Sequence, residues 1–162
     1  MAAVNRQTWL RHDGGDNKPL RVLLPAAAGS TRAIKKGEIL AMDTGTLVPA
    51  VSGKTTLLCV ADQEQKAADV ARNLWCILPR ELDVFRYELS AARAVAFGEQ
   101  FAISDSETLA YTAAGTNKVA RACGNANRPK PEEKSTTNRS VLYAEVYFDP
   151  QASYLVALTG AS

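Results

Sequence analysis

The sequence holds few of the residues from which enzyme active sites and metal centres are built. Histidine occurs once, as His12, so a Ser-His-Asp or Cys-His arrangement would depend on that single side chain. The 3 cysteines show no C-x-x-C spacing and supply no paired ligands of the kind that zinc sites use. We therefore expect a protein that is not an enzyme and that uses neither a metal nor another cofactor.

The cysteines and the N-terminus indicate where the chain is made. Cys59 and Cys76 lie within apolar runs, so we expect them to be small buried side chains in a reducing compartment. Residues 1–6 lack the apolar core of a signal peptide. Synthesis in the cytoplasm is therefore the setting that we expect.

Net charge and long apolar runs are also scarce. The formal net charge is +2, which is too small for the electrostatic footprint of a nucleic-acid-binding protein. No apolar run approaches the roughly 20 residues that a transmembrane helix needs. With 162 residues, of which 46% are hydrophobic and 22% charged, the chain can form one globular domain with its own core. We expect neither nucleic acid nor a membrane as a partner.

Two short motifs resemble ligand-binding loops without meeting their requirements. Residues 13–17, Asp-Gly-Gly-Asp-Asn, lack the alternating ligands and the distal glutamate of an EF-hand loop. Residues 53–56, Gly-Lys-Thr-Thr, match the end of a phosphate-binding loop, but that loop needs a glycine where Val48 stands. We expect no calcium site at the first motif and a plain turn between strands at the second.

What the chain does contain is an internal repeat. Residues 33–42, AIKKGEILAM, return about sixty residues later as residues 94–103, AVAFGEQFAI. The later matching pairs are Thr46-Leu47 with Thr108-Leu109 and Val60-Ala61 with Val119-Ala120. Self-similarity of this kind indicates a duplicated architecture.

The repeated Gly-Glu step predicts a β-hairpin. Gly37 and Gly98 permit a backbone turn with positive φ, which other residues adopt only with strain. An apolar run follows the first glycine, and the polar residues 43–46 separate it from a second apolar run. Two copies are too few for a solenoid, so we expect a duplicated half-barrel within one domain.

The rest of the chain also favours short strands. Further strands are predicted at residues 19–25, 57–61, 74–79, 84–89 and 141–148. Residues 62–72 have either a helical composition or the character of a polar loop. Residues 124–138 predict a long exposed loop, and residues 154–158 a short closing strand or tail. The pattern indicates an all-β barrel or sandwich.

Residues 1–18 differ from the remainder, and we predict an N-terminal arm ahead of a single domain at residues 19–162. No strand or helix period runs through the segment, and a Gly-Gly break interrupts it. It is either a frayed terminus or an arm that orders on a partner. In the second case the apolar anchors are Trp9 and Leu10, and the polar contacts are Arg6 and Arg11.

Glu38 and Glu99 occupy equivalent places in the two repeats. If the hairpins pair around a pseudo-two-fold axis, the carboxylates could approach each other and act as an acid/base pair. The alternative is that each is a polar residue at the mouth of its hairpin, where it faces solvent or caps backbone donors. The scarcity of other catalytic groups favours the second interpretation.

Several of these segments resemble the head decoration, or cement, proteins of tailed bacteriophages. Residues 37–43 (GEILAMD), 46–49 (TLVP) and 59–62 (CVAD) match a Gly-Glu hairpin that leads through a short turn to a Val-Ala strand. Residues 94–109 resemble the second hairpin of those proteins. The resemblance spans roughly residues 20–149 and implies an all-β, β-clip-like barrel, or β-tulip, with an extended N-terminal arm.

The resemblance also implies a structural role. Proteins of the lambda head protein D type sit as trimers at local three-fold positions on the outside of the expanded capsid and stabilise it. Their N-terminal segment commonly orders on the shell by adding to a sheet of the shell protein. For this chain the implied partners are the major capsid protein and further copies of itself, in a homotrimer on the capsid exterior. The alternatives are a head-fibre or tail component, or a carbohydrate-binding or enzymatic barrel that uses Glu38 and Glu99.

Overall fold

The structure is a computed structural model that describes residues 7–15, 18–26, 33–66, 72–123 and 141–159. The strands are β1 (Gln7–His12), β2 (Arg21–Ala26), β3 (Ile39–Asp43), β4 (Thr46–Pro49), β5 (Leu58–Ala61), β6 (Arg72–Ile77), β7 (Asp83–Arg93), β8 (Gln100–Asp105), β9 (Thr108–Tyr111), β10 (Lys118–Ala122) and β11 (Val141–Phe148). A single 3₁₀ turn (Pro150–Ala152) and the helix α1 (Tyr154–Thr159) follow within the last described segment. The predicted all-β class is confirmed.

The strands form two closed barrels in tandem. In the first, which we call the N-terminal barrel, the order is β2-β4-β3-β5-β6 and the ring closes on itself. In the second, the C-terminal barrel, the order β7-β11-β10-β8-β9 is closed by pairing of β9 with β7. Strand β1 adds to the same edge of β7, ahead of the point where β9 pairs.

The two barrels have one topology, with β2 to β6 corresponding in order to the strands from β7 onward. A parallel pair closes each ring, between Ala26 and Leu47 in the first and between Leu89 and Leu109 in the second. The duplicated unit is therefore larger than the sequence predicts. Each copy of the hairpin recruits one earlier strand and two later strands, and forms a whole barrel instead of half of one.

Backbone hydrogen bonds around the repeated glycine also correspond. The N–H of Gly37 donates to the carbonyl of Ala61 at 2.8 Å, and that of Gly98 donates to the carbonyl of Ala122 at 2.9 Å. Both glycines have positive φ, 98° and 84°. The counterpart of Ala61 is thus Ala122, two residues beyond the Ala120 that the sequence match suggests.

The N-terminal barrel encloses an aliphatic core, and its outer wall packs on the other barrel. Buried side chains inside it include Leu40, Leu47 and Leu74. The alternate residues Ile39 and Val60 join the core cluster of the C-terminal barrel instead. Because successive strand residues point to opposite faces, β3 and β5 serve both cores.

The C-terminal barrel has an aromatic core. Phe85 and Tyr87 each meet the ring of Phe148 edge to face, with ring centroids 5.3 and 6.0 Å apart. Phe101 is also fully buried in this cluster. Such pairs add to the free energy that aromatic burial contributes.

The three cysteines are free and buried, which confirms the prediction for Cys59 and Cys76. The pKa of Cys59 lies well above its ordinary value because its thiol is hydrogen-bonded with Cys76 and removed from water. The raised pKa keeps the Cys59 thiol in the unreactive protonated form.

The two ends of the described chain differ from the sequence predictions. Residues 7–12 form the paired strand β1, although no strand period is visible there. Residues 154–159 form a helix and not a strand, because the hydroxyl of Ser153 accepts the N–H of Leu155 at 3.2 Å and caps it. With six residues, α1 is too short to cross a membrane, and the described chain contains no longer helix.

Two ambiguous segments are partly settled. Residues 62–66 are not helical, and Gln65 makes an isolated antiparallel bridge with Ile34. The remainder of that segment up to residue 71 lies outside the described residues, as does the predicted loop at 124–138.

Candidate functional site

The predicted arm residues that the structure describes lie in β1, along the first half of β7. Gln7 pairs with Arg86, Trp9 with Phe85, and Arg11 with Val84. The register shifts twice over this short length, so two residues of β1 match each single step along β7 from Arg86 to Val84. Such bulges leave residues unpaired and twist the edge of the sheet.

A buried carboxylate holds β1 to the body. Asp83 has no exposed surface, and its Oδ1 accepts the indole N–H of Trp9 at 2.9 Å. His12 Nδ1 lies 2.9 Å from the same oxygen. Arg80 donates its backbone N–H and its guanidinium to the carboxylate at 2.8 to 3.1 Å. The charge is thus paired and fully hydrogen-bonded, which a buried carboxylate requires.

A second ionic contact lies on the outer face of the sheet. Arg11 bonds Glu145 of β11 at 3.2 Å and Asp13 at 2.8 Å. Arg86 of β7 reaches the other oxygen of Glu145 at 3.3 Å. The hydroxyl of Tyr147 donates to Asp13. We call Asp13, Arg11, Glu145 and Tyr147, together with Asp83, the clasp of β1.

The pKa values of the clasp record these contacts. Burial alone would raise the pKa of Asp13, but hydrogen bonds from Tyr147 and Arg11 outweigh it and lower the pKa below 3.8. Burial and the bond to Asp13 raise the pKa of Tyr147 to about 12. Burial would lower the pKa of Arg11, yet Asp13 and Glu145 raise it. The clasp therefore favours one charge state: ionised Asp13 and Arg11 with neutral Tyr147.

The four predicted anchors have different surroundings. Trp9 is half-buried and packs against the C-terminal core, while Leu10 is half-buried on β1. The side chain of Arg11 is 36% exposed while it holds its two carboxylates. Arg6 lies outside the described residues. Trp9 and Arg11 thus engage the protein's own body, and a role for any of them on a capsid stays a prediction.

The residues that receive β1, Asp83 and Glu145, were not among the sites predicted from the sequence. Glu145 is the single charged residue of β11, which is otherwise apolar or aromatic, whereas Asp83 shares β7 with Arg86, Glu88 and Arg93. A lone charge at such a place indicates a specific partner, because an unpaired charge in a half-buried strand is costly. That signal was present in β11 and pointed to Glu145, whereas the other charges of β7 conceal Asp83.

Glu38 is the centre of the junction between the barrels. Its buried carboxylate accepts the hydroxyl of Ser106, at the β8–β9 turn, at 2.7 Å. The backbone N–H of Ile39 donates to the carbonyl of Ser106 at 2.7 Å. The hydroxyl of Tyr87 donates to the carbonyl of Gly37 at 2.9 Å. The first Gly-Glu turn thus inserts into the C-terminal barrel.

Glu99 makes the equivalent local bond but has a different outer partner. Glu38 accepts the backbone N–H of Lys35 at 2.5 Å, and Glu99 accepts that of Ala96 at 2.7 Å. Beyond that, Glu99 pairs with Arg93 at 2.6 Å. The two carboxylates share none of these partners, and each caps a backbone donor of its own turn, as the alternative interpretation expected.

An open groove lies beside the junction. It has a volume of about 480 Å³ and is lined by residues 48–52 with Asp105 and Ser106. Val51 at its rim is 66% exposed. Across the described parts of the chain, no three His, Cys, Asp or Glu side chains are grouped as a metal site would need.

Comparison with known proteins gives one structural likeness. No protein-family model matches the sequence, and no curated protein matches it. The fold is similar to the crystal structure of the head fiber gp8.5 N base in bacteriophage phi29, with a TM-score of 0.51 and 12% sequence identity. The alignment covers 82% of this chain and 98% of that one. At this identity the likeness shows a shared fold.

Proposed function

We propose that this chain is a structural protein of a bacteriophage virion, mounted on the outer surface of the head. The observation that carries the proposal is the tandem-barrel fold, which aligns with nearly the whole N base of a phage head fiber protein. The resemblance of the Gly-Glu hairpins to decoration proteins supports the same location.

Two arrangements on the head are compatible with this location. In the first, many copies decorate the expanded shell as trimers at local three-fold positions, which the hairpin motifs favour. In the second, the chain is the base of a head fibre, which the structural likeness favours. We take decoration as the leading arrangement, with the major capsid protein as the partner in both.

The proposed mechanism is stabilisation by binding, without chemistry. A protein that binds only the expanded shell stabilises it by RT ln(1 + [L]/Kd), or about 2.7 kcal/mol per site at a concentration of 100 Kd. Two rigid barrels joined through the buried Glu38 junction suit a clamp of this kind. Contacts to several shell subunits would add avidity.

In this proposal β1 contributes through its outer edge. It ends the strand order of its sheet, so its second edge faces no described strand. Leu10 is the described anchor that is not tied to Asp83 or Glu145, and Arg6 remains a predicted contact of the arm. Removal of residues 1–18 should therefore weaken binding to the shell, although the barrels remain.

The test uses expanded heads assembled without this chain. The purified chain is mixed with these heads and with unexpanded precursor shells, and bound protein is measured by co-sedimentation and located by cryo-electron microscopy. We expect density on the outside of expanded heads and little binding to precursors. Absence of density on the heads would refute the proposal, and its position would separate decoration from a fibre base.

A further inference from the structure

The two barrels provide an internal comparison, because equivalent residues can be counted from the parallel pair that closes each ring. Leu23 of β2 then corresponds to Arg86 of β7. Across the neighbouring strand, Leu23 pairs with Trp75, and Arg86 pairs with Glu145. One place in the fold thus carries an ion pair in one barrel and an apolar pair in the other.

The apolar pair is exposed. Leu23 and Trp75 keep 48% and 37% of their surface accessible. The guanidinium of Arg21 lies 4.7 Å from the centre of the Trp75 ring and bonds Asp62 at 2.5 Å. Arg21 therefore stacks on the indole of Trp75, and the three side chains form one patch on the outer face.

The edge of β2 beside this patch is open where its counterpart is occupied. Strand β1 pairs with residues 83–86 of β7, which correspond to residues 20–23 of the N-terminal barrel. On that side β2 pairs only through Ala26, with Leu47, among the described strands. The fold therefore repeats the acceptor edge, and the described chain fills one of the two.

The hydrogen-bonding groups of this edge can be assigned. The N–H of Leu78 donates to the carbonyl of Leu20. The backbone N–H and C=O groups of the even-numbered residues of β2 therefore point toward β6. In an antiparallel pair the alternate residues point their N–H and C=O groups away. Arg21 and Leu23 thus present both groups to the open edge.

We propose that this edge of β2 accepts an extended antiparallel strand from the head shell protein, with apolar side chains over Leu23 and Trp75. The proposal rests on the proposed function for the identity of the partner. The equivalent added strand, β1, places Arg11 on Glu145 and the Trp9 indole N–H on Asp83. In the N-terminal barrel, Trp75 takes the place of Glu145 and Leu20 takes the place of Asp83. The incoming strand therefore needs apolar side chains where β1 has Arg11 and Trp9.

A second copy of this chain fits the edge poorly. Two-fold pairing of β2 with itself, centred on Leu23, would place Arg21 of each copy opposite Pro25 of the other. Proline has no N–H, so both Arg21 carbonyls would lose their donor. The chain's own β1 is already held on β7 by Asp83 and Glu145.

The first experiment separates the backbone edge from the side chain. Leu23→Pro and Leu23→Ala both remove the leucine side chain, but only proline removes the N–H that faces the open edge. Neither change breaks a bond between β2 and β6. We expect Leu23→Pro to bind expanded heads about tenfold more weakly than Leu23→Ala, since strand addition relies on main-chain bonds.

The second experiment tests the apolar patch. The double variant Leu23→Arg/Trp75→Glu copies the Arg86–Glu145 pair of the other barrel, so it should fold, and it should lose head binding. Phe97→Gln, which removes an apolar residue that is 75% exposed elsewhere, is the control and should bind normally. Hydrogen exchange of the Arg21 and Leu23 amides should slow when heads are added.

The outcomes are distinguishable. If heads bind the chain but exchange at Arg21 and Leu23 is unchanged, or if the proline and alanine variants bind equally, this inference is wrong and the proposed function stands. If sedimentation shows a dimer of the chain that Leu23→Pro abolishes, the occupant is a second copy and the inference is wrong. If expanded heads do not bind the chain at all, both proposals fall.

Discussion

Replacement of Asp83 by asparagine should release β1 while the barrels persist. The carboxylate is fully buried and receives Trp9, His12 and Arg80. Asparagine keeps the shape but removes the charge, and its amide must point an N–H₂ group at donors on one side. Arg80 donates to both carboxylate oxygens of Asp83, and asparagine offers it only one acceptor oxygen.

The magnitude follows from the burial of this pair. Loss of one partner of a buried ion pair costs about 3 to 5 kcal/mol, and asparagine retains one acceptor oxygen. We therefore expect the free energy of unfolding to fall by about 3 kcal/mol, a large fraction of the roughly 5 to 15 kcal/mol of an ordinary domain. The local opening of β1 should account for most of the change.

The assay combines two measurements. Urea unfolding is monitored by tryptophan fluorescence, and the opening of β1 is measured by hydrogen exchange of its amides. The matched control is Glu81→Gln, which removes the same charge from an exposed residue two positions away. The control should leave both measurements unchanged. Equal stability of Asp83→Asn and the parent chain, with β1 amides equally protected, would show that the clasp does not depend on Asp83.

Three further predictions concern the junction, the clasp and the second turn. Glu38→Gln should lower the free energy of unfolding by about 2 to 3 kcal/mol in urea titrations, because the carboxylate is buried, whereas Glu99→Gln, which is partly exposed, should cost under about 1 kcal/mol. Equal losses would contradict the junction role. The folded pKa of Asp13 lies below 3.8, so its contribution to stability is present above that pH and is lost as pH falls through the lowered pKa. The folded pKa of Tyr147 is raised from 10.0 to about 12, so its contribution to stability is present below pH 10 and is lost toward pH 12. Exchange of the β1 amides measured across pH should therefore show the tightest clasp between these limits. Gly98→Ala should lower the free energy of unfolding by about 1 to 2 kcal/mol, and with it the melting temperature, through strain at φ 84°, although no neighbour lies within 4 Å of the added Cβ. An unchanged midpoint would show that the turn relaxes.

The hairpins were predictable because their signals are local. Each signal consists of a glycine with positive φ, Gly37 or Gly98, an apolar run and a polar turn, and it spans only about ten residues. The strand β1 was not predictable from its pattern. Two register shifts within Gln7–His12 remove the two-residue alternation by which strands are recognised.

The clasp also depends on distant residues. Trp9 and Asp83 are 74 positions apart, and Arg11 and Glu145 are 134 apart. A propensity at Trp9 contains no information about which carboxylate receives its indole. The sequence showed that Trp9 and Arg11 needed partners, but the partners it suggested were on a capsid.

By itself, the sequence determined that the protein is all-β, that its cysteines are buried and that a Gly-Glu hairpin occurs twice. These properties follow from composition and short-range patterns. Only the tertiary structure decided that each copy closes into a full barrel, because closure depends on the parallel contacts of Ala26 with Leu47 and of Leu89 with Leu109. The tertiary structure also gives the two glutamates different surroundings. Glu38 is bonded to Ser106 of the C-terminal barrel, while Glu99 pairs with Arg93 of its own barrel. Local patterns specify strands and turns; the pairing between them is a property of the whole chain.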